Sequence, residues 1–276
     1  MSVAVLITVA GRPLHLHRLL GGLRRQRRHA DDIVVVEMRT DHDVRPLVPP
    51  PARRVVQPAT TTAGLPLAAA RNRAAAATDA DHLVFLDVDC IPGPDLVARY
   101  VAVLEAHPAA IACGPARYLE RDWDADVDAF PTLQELHDRS AAPSNRRPPP
   151  RDVVIGDDHE LFWSLSFGIH RDTWELLGGF DPGYVGYGAE DTDFALRARH
   201  ANVPVAWFAG GTAYHQWHPP TRLDPARLPE LIANAHRFRR RFGHWPMAGW
   251  FDELQRLGRV RFDPRHDVLS PADDRS

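Results

Sequence analysis

The chain has 276 residues, 44% of them hydrophobic, which suits one large domain or two intimate halves with a substantial core. Its formal net charge of -3 argues against general nucleic-acid binding, and its 2 cysteines exclude a disulfide framework or a cysteine-based zinc site. No basic leader opens the chain and no apolar run is long enough to cross a bilayer, so we expect a soluble, cytoplasmic protein.

The first part of the chain alternates buried strands with helices. We predict strands at Val3–Val9, Ile33–Val36 and His82–Leu86, and helices opening at Pro13 and covering Leu67–Ala77 and Pro94–Ala106, with a prolyl loop over Pro46–Pro66. This alternation is typical of a mostly parallel α/β sheet flanked by helices, in which ligands bind beyond the carboxyl ends of the strands. No Gly-x-Gly-x-x-Gly follows the first strand, which disfavours a dinucleotide-binding enzyme.

The second part is less regular. We predict a prolyl loop over Ala141–Pro150, a strand over Trp163–His170, a helix over Arg171–Leu177, helices over Pro229–Phe242 and Gly249–Gly258, and a polar tail from residue 264. We expect a single domain over residues 1–276, in which residues 1–110 bind a donor and residues 111–263 form the acceptor and catalytic half. The loop at 141–152 is either a lid or a plain connection.

Two acidic segments carry the chemistry. Asp87 and Asp89 follow a buried strand and, if that strand continues, they point to the same side as a hard oxygen site for a divalent cation. Glu190 and Asp191 follow the glycine turn at Gly186–Gly188 and open a helix, whose free N–H groups favour an ionised carboxylate that can accept a proton. Each pattern alone also fits ordinary solvated acids.

Histidines and arginines add two further hypotheses. His215 and His218 are candidate metal ligands, and imidazole with carboxylate suits Mn²⁺ better than Ca²⁺. The arginines at 18, 24, 25, 27 and 28, with leucines on another face, suggest a basic helix with at most peripheral membrane contact, or a surface helix packed on the sheet.

Taken together, these segments resemble the inverting GT-A-fold glycosyltransferases of the family-2 type. The resemblance covers residues 3 to 220. Its first half rests on Val5–Arg12, Gln26, Ala70-Arg71-Asn72 and Phe85–Asp89. Its second half, Gly178–Asp181 and Gly186–Asp193, is similar to β-1,4-galactosyltransferases and polypeptide N-acetylgalactosaminyltransferases, and Phe242–Trp250 is similar to bacterial galactosyltransferase-related proteins.

The resemblance implies a role for each matching position. It implies that the nucleotide-sugar donor, a UDP-sugar in the first instance, is bound by Ala10, Arg12, Glu37, Arg71, Asp87 and Val88. It implies that Asp89 and His215 bind Mn²⁺ or Mg²⁺, and the choice between His215 and His218 stays open. Asp191 matches the general base, and Glu190, Trp163 and Gly188 border the acceptor, a hydroxyl-bearing glycan or small molecule. Met38-Arg39-Thr40 replaces the family's Asp-Gly-Ser.

The sequence is also compatible with two other classes of protein, in addition to the membrane-surface protein that the arginines suggest. A nucleotidyltransferase on a related scaffold also uses paired acids and a metal, but it does not need the glycine turn before Glu190. A non-catalytic nucleotide-sugar or glycan-binding protein shares the pockets without turnover. Trp163 fits either a platform for a sugar ring or an ordinary core position.

Overall fold

The structure, a computed structural model, describes residues 1–38, 44–57, 64–121, 123, 130–146, 149, 152–219 and 223–272. Within these ranges the strands are β1 (Val3–Val9), β2 (Asp32–Glu37), β3 (Ala52–Val56), β4 (His82–Asp87), β5 (Cys90–Pro92), β6 (Ile111–Cys113), β7 (Ala116–Leu119), β8 (Ser140–Ala141), β9 (Val153–Gly156), β10 (Ser166–His170), β11 (Val205–Phe208), β12 (Ala213–His215), β13 (Val260–Asp263) and β14 (Val268–Pro271). The α-helices are α1 (Pro13–Leu23), α2 (Leu67–Ala75), α3 (Leu96–Ala106), α4 (Leu133–Asp138), α5 (Arg171–Leu177), α6 (Glu190–His200), α7 (Leu228–Phe242) and α8 (Ala248–Arg256).

The main sheet has 8 strands in the order β3-β2-β1-β4-β10-β6-β11-β9. Strands β3, β2, β1 and β4 are mutually parallel, and β6 is parallel to β11. Strand β10 is antiparallel to both β4 and β6, and β9 is antiparallel to β11. The predicted mostly parallel α/β sheet is therefore confirmed, and β10 joins the two parts of the chain in one sheet.

The side chains of the central strands alternate between two apolar layers, as a strand covered on both faces requires. Val3, Val5 and Ile7 pack on one face with residues of α1 and α3. Ala4 and Leu6 pack on the other face with residues of α2, α5 and α6. These layers hold the carboxyl ends of β1, β2 and β4 side by side, where the predicted donor site lies.

A second sheet, in the order β5-β12-β7-β8, lies next to that edge. It brings residues that are far apart in the sequence into contact, because His215 of β12 pairs with Cys90 of β5. The Gln216 N–H also donates to the Asp89 carbonyl at 2.7 Å. This pairing fixes the late histidines beside the acidic segment after β4.

Several predicted boundaries were wrong. The prolyl loop at 46–66 contains β3, which adds a parallel edge strand, and the strand predicted at Trp163–His170 begins only at Ser166. Strand β4 ends at Asp87, so the alternation that would point Asp87 and Asp89 to the same side stops there.

The predictions for the tail and for the basic helix were also wrong. Residues 264–272 are not a polar tail, because β14 pairs with β13 and Leu269 is buried against α7 and α8. Helix α1 ends at Leu23, so the arginines at 24, 25, 27 and 28 lie beyond it and do not form a basic helical face. Arg27 instead pairs with Asp95 at 2.7 Å. Among the described residues, every helix is too short or too polar to span a bilayer.

Candidate active site

A buried arginine connects the two acidic segments. Arg71 on α2 is 3% exposed, and its guanidinium lies 3.0 Å from Asp87 Oδ1 and 3.2 Å from Glu190 Oε1. Asp87 ends β4, whereas Glu190 opens α6 in the other part of the chain. The ion pairs therefore bring the two predicted acidic sites together, and they engage Arg71, Asp87 and Glu190 with one another.

The neighbouring Asn72 holds the same junction. Its side-chain amide donates to the Phe180 carbonyl and its Oδ1 accepts from the Phe180 N–H, both at 2.8 Å. The Arg71 guanidinium lies 5.2 Å from the centroid of the Phe180 ring. The sequence analysis used Asn72 only as part of a motif. In the structure, the two hydrogen bonds of Asn72 hold α2 against the segment before the acidic turn.

The turn before α6 depends on unusual backbone conformations. Gly186 and Gly188 have φ values of +83° and +100°, and Ala189 follows at 71°. A Cβ at Gly186 would lie 2.3 Å from Glu230 Oε2, because the Glu230 side chain of α7 packs directly on the turn. Glycine is therefore required at Gly186 both by the backbone and by the close approach of α7.

Helix α7 supports this turn through two polar side chains that sequence reasoning missed. Glu230 accepts a hydrogen bond from the Tyr187 N–H at 3.3 Å, and the Asn234 amide donates to the carbonyls of Val185 and Tyr187 at 3.1 and 3.3 Å. The Tyr187 ring stacks on Trp250 of α8 with centroids 5.9 Å apart. The C-terminal helices thus fix the turn that positions the acids.

Gly186→Ala is expected to lower the free energy of unfolding by about 1–2 kcal/mol, because alanine must adopt the left-handed region and displace Glu230. Chemical denaturation measures the effect. Gly249→Ala is the matched control, because a Cβ there meets nothing within 4 Å. Equal stabilities of Gly186→Ala and the wild type would contradict the role assigned to this turn.

Glu190 and Asp191 differ in their access to solvent. Glu190 is 6% exposed and faces Arg71, whereas Asp191 is partly exposed. Asp191 Oδ1 accepts the Thr192 N–H at 2.8 Å in the first turn of α6. Burial raises the pKa of Glu190 to about 7, with the Asp191 charge adding to the rise and Arg71 opposing it. Burial also raises the pKa of Asp191, against its hydrogen bonds to Thr192.

The third acid of this segment has another role. Asp193 is fully buried and binds Arg197 at 2.8 Å and Arg241 of α7 at 3.0 Å. Asp181, in the preceding motif, binds Arg237 of α7 at 2.9 Å. Both acids hold α7 in place through ion pairs. Of the acids at the start of α6, Glu190 and Asp191 therefore remain candidates for the active site.

Asp89 lies at the centre of a cluster of basic side chains. It is 6% exposed and forms an ion pair with Arg12, while His218 Nε2 lies 3.5 Å from its Oδ2 and His15 Nε2 lies 3.9 Å from its Oδ1. One ligand atom from each of Asp89, His215 and His218 lies within 4.8 Å of the other two. The structure therefore brings both histidines to Asp89, not His215 alone.

The chemistry of these atoms fits a divalent cation. Asp89 Oδ1 and His215 Nδ1 are buried and have no hydrogen-bond partner among the described residues. Burial lowers the pKa of His215, against the pull of Asp89, so the imidazole is neutral and has a lone pair to donate. One carboxylate and two imidazoles form a donor set that accepts Mn²⁺, and Arg12 would share the Asp89 carboxylate with the cation.

The other predicted donor residues have different degrees of exposure. Glu37 is completely buried at the end of β2, where it pairs with Arg54, and its Oε1 has no partner among the described residues. Val88 is buried in the core, and Ala10 is partly exposed. Met38 is buried, whereas Arg39 and Thr40 lie outside the described residues.

Trp163 is partly buried and packs beside the core rather than in its centre. The Arg146 guanidinium lies 5.0 Å from the centroid of its ring. The predicted lid at 141–152 is described only in part, because residues 147, 148, 150 and 151 lie outside the described ranges. The lid role therefore stays a prediction.

Two family models match this chain, one over its first part and the other over its second part. A model of glycosyl transferase family 2 matches residues 5–170, more than half of the chain. A second model, described as the N-terminal domain of galactosyltransferase, matches residues 157–219, which include Glu190, Asp191 and both late histidines. The chain belongs to glycosyl transferase family 2, and its residues 157–219, which overlap the end of the first match, form a galactosyltransferase-like segment.

Two structures of glycosyltransferases share the fold. GalNAc-T7, solved with UDP, GalNAc and Mn²⁺, has a TM-score of 0.59 at 13% identity, over 86% of this chain and 48% of that one. S. aureus TarS 1-349 has a TM-score of 0.54 at 13% identity, over 87% of this chain and 66% of that one. The predicted GT-A fold is confirmed by these likenesses.

Curated relatives are more similar in sequence. The validoxylamine A glucosyltransferases of Streptomyces hygroscopicus subsp. jinggangensis (strain 5008) and subsp. limoneus are each 26% identical in an alignment 263 residues long that covers 87% of this chain. The chain spans 60% and 56% of the lengths of these two relatives.

Proposed function

We propose that this protein is a metal-dependent, inverting glycosyltransferase that moves a sugar from a nucleotide-diphosphate sugar to an acceptor hydroxyl. The observation that carries the proposal is that Arg71 pairs with both Asp87 and Glu190, which brings the two acidic segments together at one edge of the sheet. Asp191 offers a partly exposed carboxylate at a helix N-terminus, and Asp89 lies beside His215 and His218. Family membership favours glycosyl transfer over nucleotidyl transfer.

The base assignment follows from exposure and charge. Glu190 is turned towards Arg71, so Asp191 is the carboxylate of the pair that an acceptor can reach. Asp191 takes the proton of the acceptor hydroxyl as its oxygen attacks the anomeric carbon from the face opposite the diphosphate. The bond between the anomeric carbon and the diphosphate oxygen breaks, the nucleoside diphosphate leaves, and the configuration inverts.

The metal assignment concerns Asp89, His215 and His218. A divalent cation bound by these side chains would neutralise the charge that develops on the leaving diphosphate. Mn²⁺ is the first choice, because its donor preferences include imidazole and because GalNAc-T7 was solved with UDP and Mn²⁺. That structure and the similarity to glucosyltransferases favour a UDP-hexose donor and a glycan or small-molecule acceptor.

A screen of nucleotide-sugars with Mn²⁺, read out as released nucleoside diphosphate, tests the proposal. Turnover that depends on both a sugar donor and a hydroxyl acceptor is expected. Binding of a nucleotide-sugar without any turnover would instead support a non-catalytic binding protein. Nucleotide transfer with release of pyrophosphate would support a nucleotidyltransferase.

The value of kcat/KM is expected to fall as pH falls, beginning above the usual range of an aspartate. The base acts only when ionised, and burial raises the pKa values of both Glu190 and Asp191, so protonation removes the base at a higher pH than for an exposed carboxylate. A pH–rate profile measures this acid limb. A rate that stays constant down to the pKa of an ordinary aspartate would contradict the assignment.

Substitutions in the first part of the chain are expected to impair use of the donor, whereas substitutions in the second part are expected to impair use of the acceptor. Glu37→Gln should raise the Michaelis constant for the nucleotide-sugar, since Glu37 ends β2 on the donor side. Glu190→Gln should mainly impair use of the acceptor, because it removes the charge that faces Arg71 beside the base Asp191, and it should leave slow hydrolysis of the donor less affected. Steady-state titrations of both substrates, with donor hydrolysis as a third assay, measure these effects. The opposite pattern would reverse the assignment.

A further inference from the structure

Arg146 is a buried cation that forms no ion pair with any acid in the part of the chain that the structure describes. The residue is 5% exposed, and its Nε, Nη1 and Nη2 atoms have no hydrogen-bond partner among the described residues. A guanidinium carries five N–H donors and stays protonated at any physiological pH. Burial of such a group without acceptors is costly, so an acceptor is expected to reach it in the working protein.

Two tryptophans flank this guanidinium. Its central carbon lies 5.0 Å from the Trp163 ring centroid and 5.1 Å from the Trp207 ring centroid. Aromatic rings stabilise a cation through their faces, but they do not replace hydrogen-bond acceptors for the N–H groups in the guanidinium plane. Both tryptophans are partly exposed, so solvent reaches the edge of this cluster.

The cluster lies at the same edge of the sheet as the candidate active site. Trp163 precedes Leu165, whose carbonyl accepts the Asp87 N–H at 2.9 Å, and Trp207 pairs with Cys113 at the end of β6.

We infer that Arg146, held between Trp163 and Trp207, binds an oxyanion of a substrate, namely a phosphate or carboxylate group. The guanidinium fork matches the geometry of such a group and supplies paired, charge-assisted hydrogen bonds. The anion belongs either to the diphosphate of the donor or to an acidic acceptor. The identification of the anion as part of the donor or of the acceptor rests on the proposed function, whereas the binding of an anion by Arg146 does not.

The test is a titration with inorganic phosphate in the presence of a chelator, so that the metal site does not contribute. Tryptophan fluorescence and the thermal midpoint report binding, because Trp163 and Trp207 lie against the guanidinium. Saturable binding to the wild type is expected. Arg146→Met should weaken it about 10- to 100-fold, as expected for the loss of hydrogen bonds to a charged group. Arg146→Lys should be intermediate, because lysine keeps the charge but loses the fork.

Arg239→Met is the matched control. Arg239 also lies over a tryptophan ring, Trp245 at 5.9 Å, but it has its own partner in Asp267 at 2.7 Å. Phosphate binding is expected to be unchanged in this variant. Without phosphate, Arg146→Met should melt no lower than the wild type, because it removes an unpaired buried charge. If the methionine variant does not fold, the lysine variant carries the comparison.

A second titration in the presence of UDP and Mg²⁺ identifies the source of the anion. Competition between UDP and phosphate assigns the site to the donor diphosphate, and independent binding assigns it to an acidic acceptor. Phosphate binding that is absent in the wild type, or equal in wild type and Arg146→Met, overturns the inference. Failure of UDP to bind would count against the proposed function while leaving the phosphate result intact.

Discussion

Asp191→Asn is expected to reduce turnover about 10²–10⁴-fold while leaving binding of the nucleotide-sugar largely intact. The amide keeps the shape of the carboxylate but cannot take a proton from the acceptor hydroxyl. The defect should therefore appear in kcat with little change in the donor dissociation constant. Single-turnover assays and donor titrations measure the two quantities separately.

Asp252→Asn provides the matched control for this substitution. Asp252 is an exposed acid on α8, so its neutralisation should leave both quantities unchanged. Asp193→Asn is a poor control, because it would disturb a buried ion pair with Arg197 and Arg241. Near-normal turnover in folded Asp191→Asn would exclude Asp191 as the base, and Glu190 would then be the candidate base.

Removal of divalent cations by a chelator is expected to abolish transfer, and Mn²⁺ is expected to restore it. Asp89→Ala, His215→Ala and His218→Ala should each weaken Mn²⁺ binding by at least the ~10–100-fold that loss of an outer-shell partner costs. Electron paramagnetic resonance of free Mn²⁺ measures affinity without reference to activity. Comparison of the two histidine variants decides whether one or both act as ligands.

His17→Ala is the control for the histidine variants. His17 lies on α1, two residues after the His15 that faces Asp89, but it is not part of the cluster around Asp89, His215 and His218. Its Mn²⁺ affinity should equal that of the wild type. Full activity of the wild type in excess chelator would exclude the metal, and the Asp89 cluster would then be interpreted as a cationic site built by Arg12 and the histidines.

The two acidic segments also show which features a local sequence pattern can predict and which it cannot. The glycine turn and the acids after it predicted the start of α6, because glycine conformations and helix N-termini are set by neighbours in the chain. The same pattern did not separate Asp191 from Asp193. Asp193 is committed to arginines of α6 and α7, and Arg241 lies 48 residues further along the chain.

What the sequence determined by itself was local: the buried strands, the helix that follows the glycine turn, and the motifs whose order and spacing resemble family 2. Only the tertiary structure decided how those motifs meet. The pairing of β12 with β5 brings His215 and His218 to Asp89, and the packing of α2 against the acidic turn places Arg71 between Asp87 and Glu190. Burial and ion pairing depend on residues far apart in the chain, so the burial of Arg146 without a partner among the described residues and the support from Glu230 and Asn234 could not be predicted from local pattern.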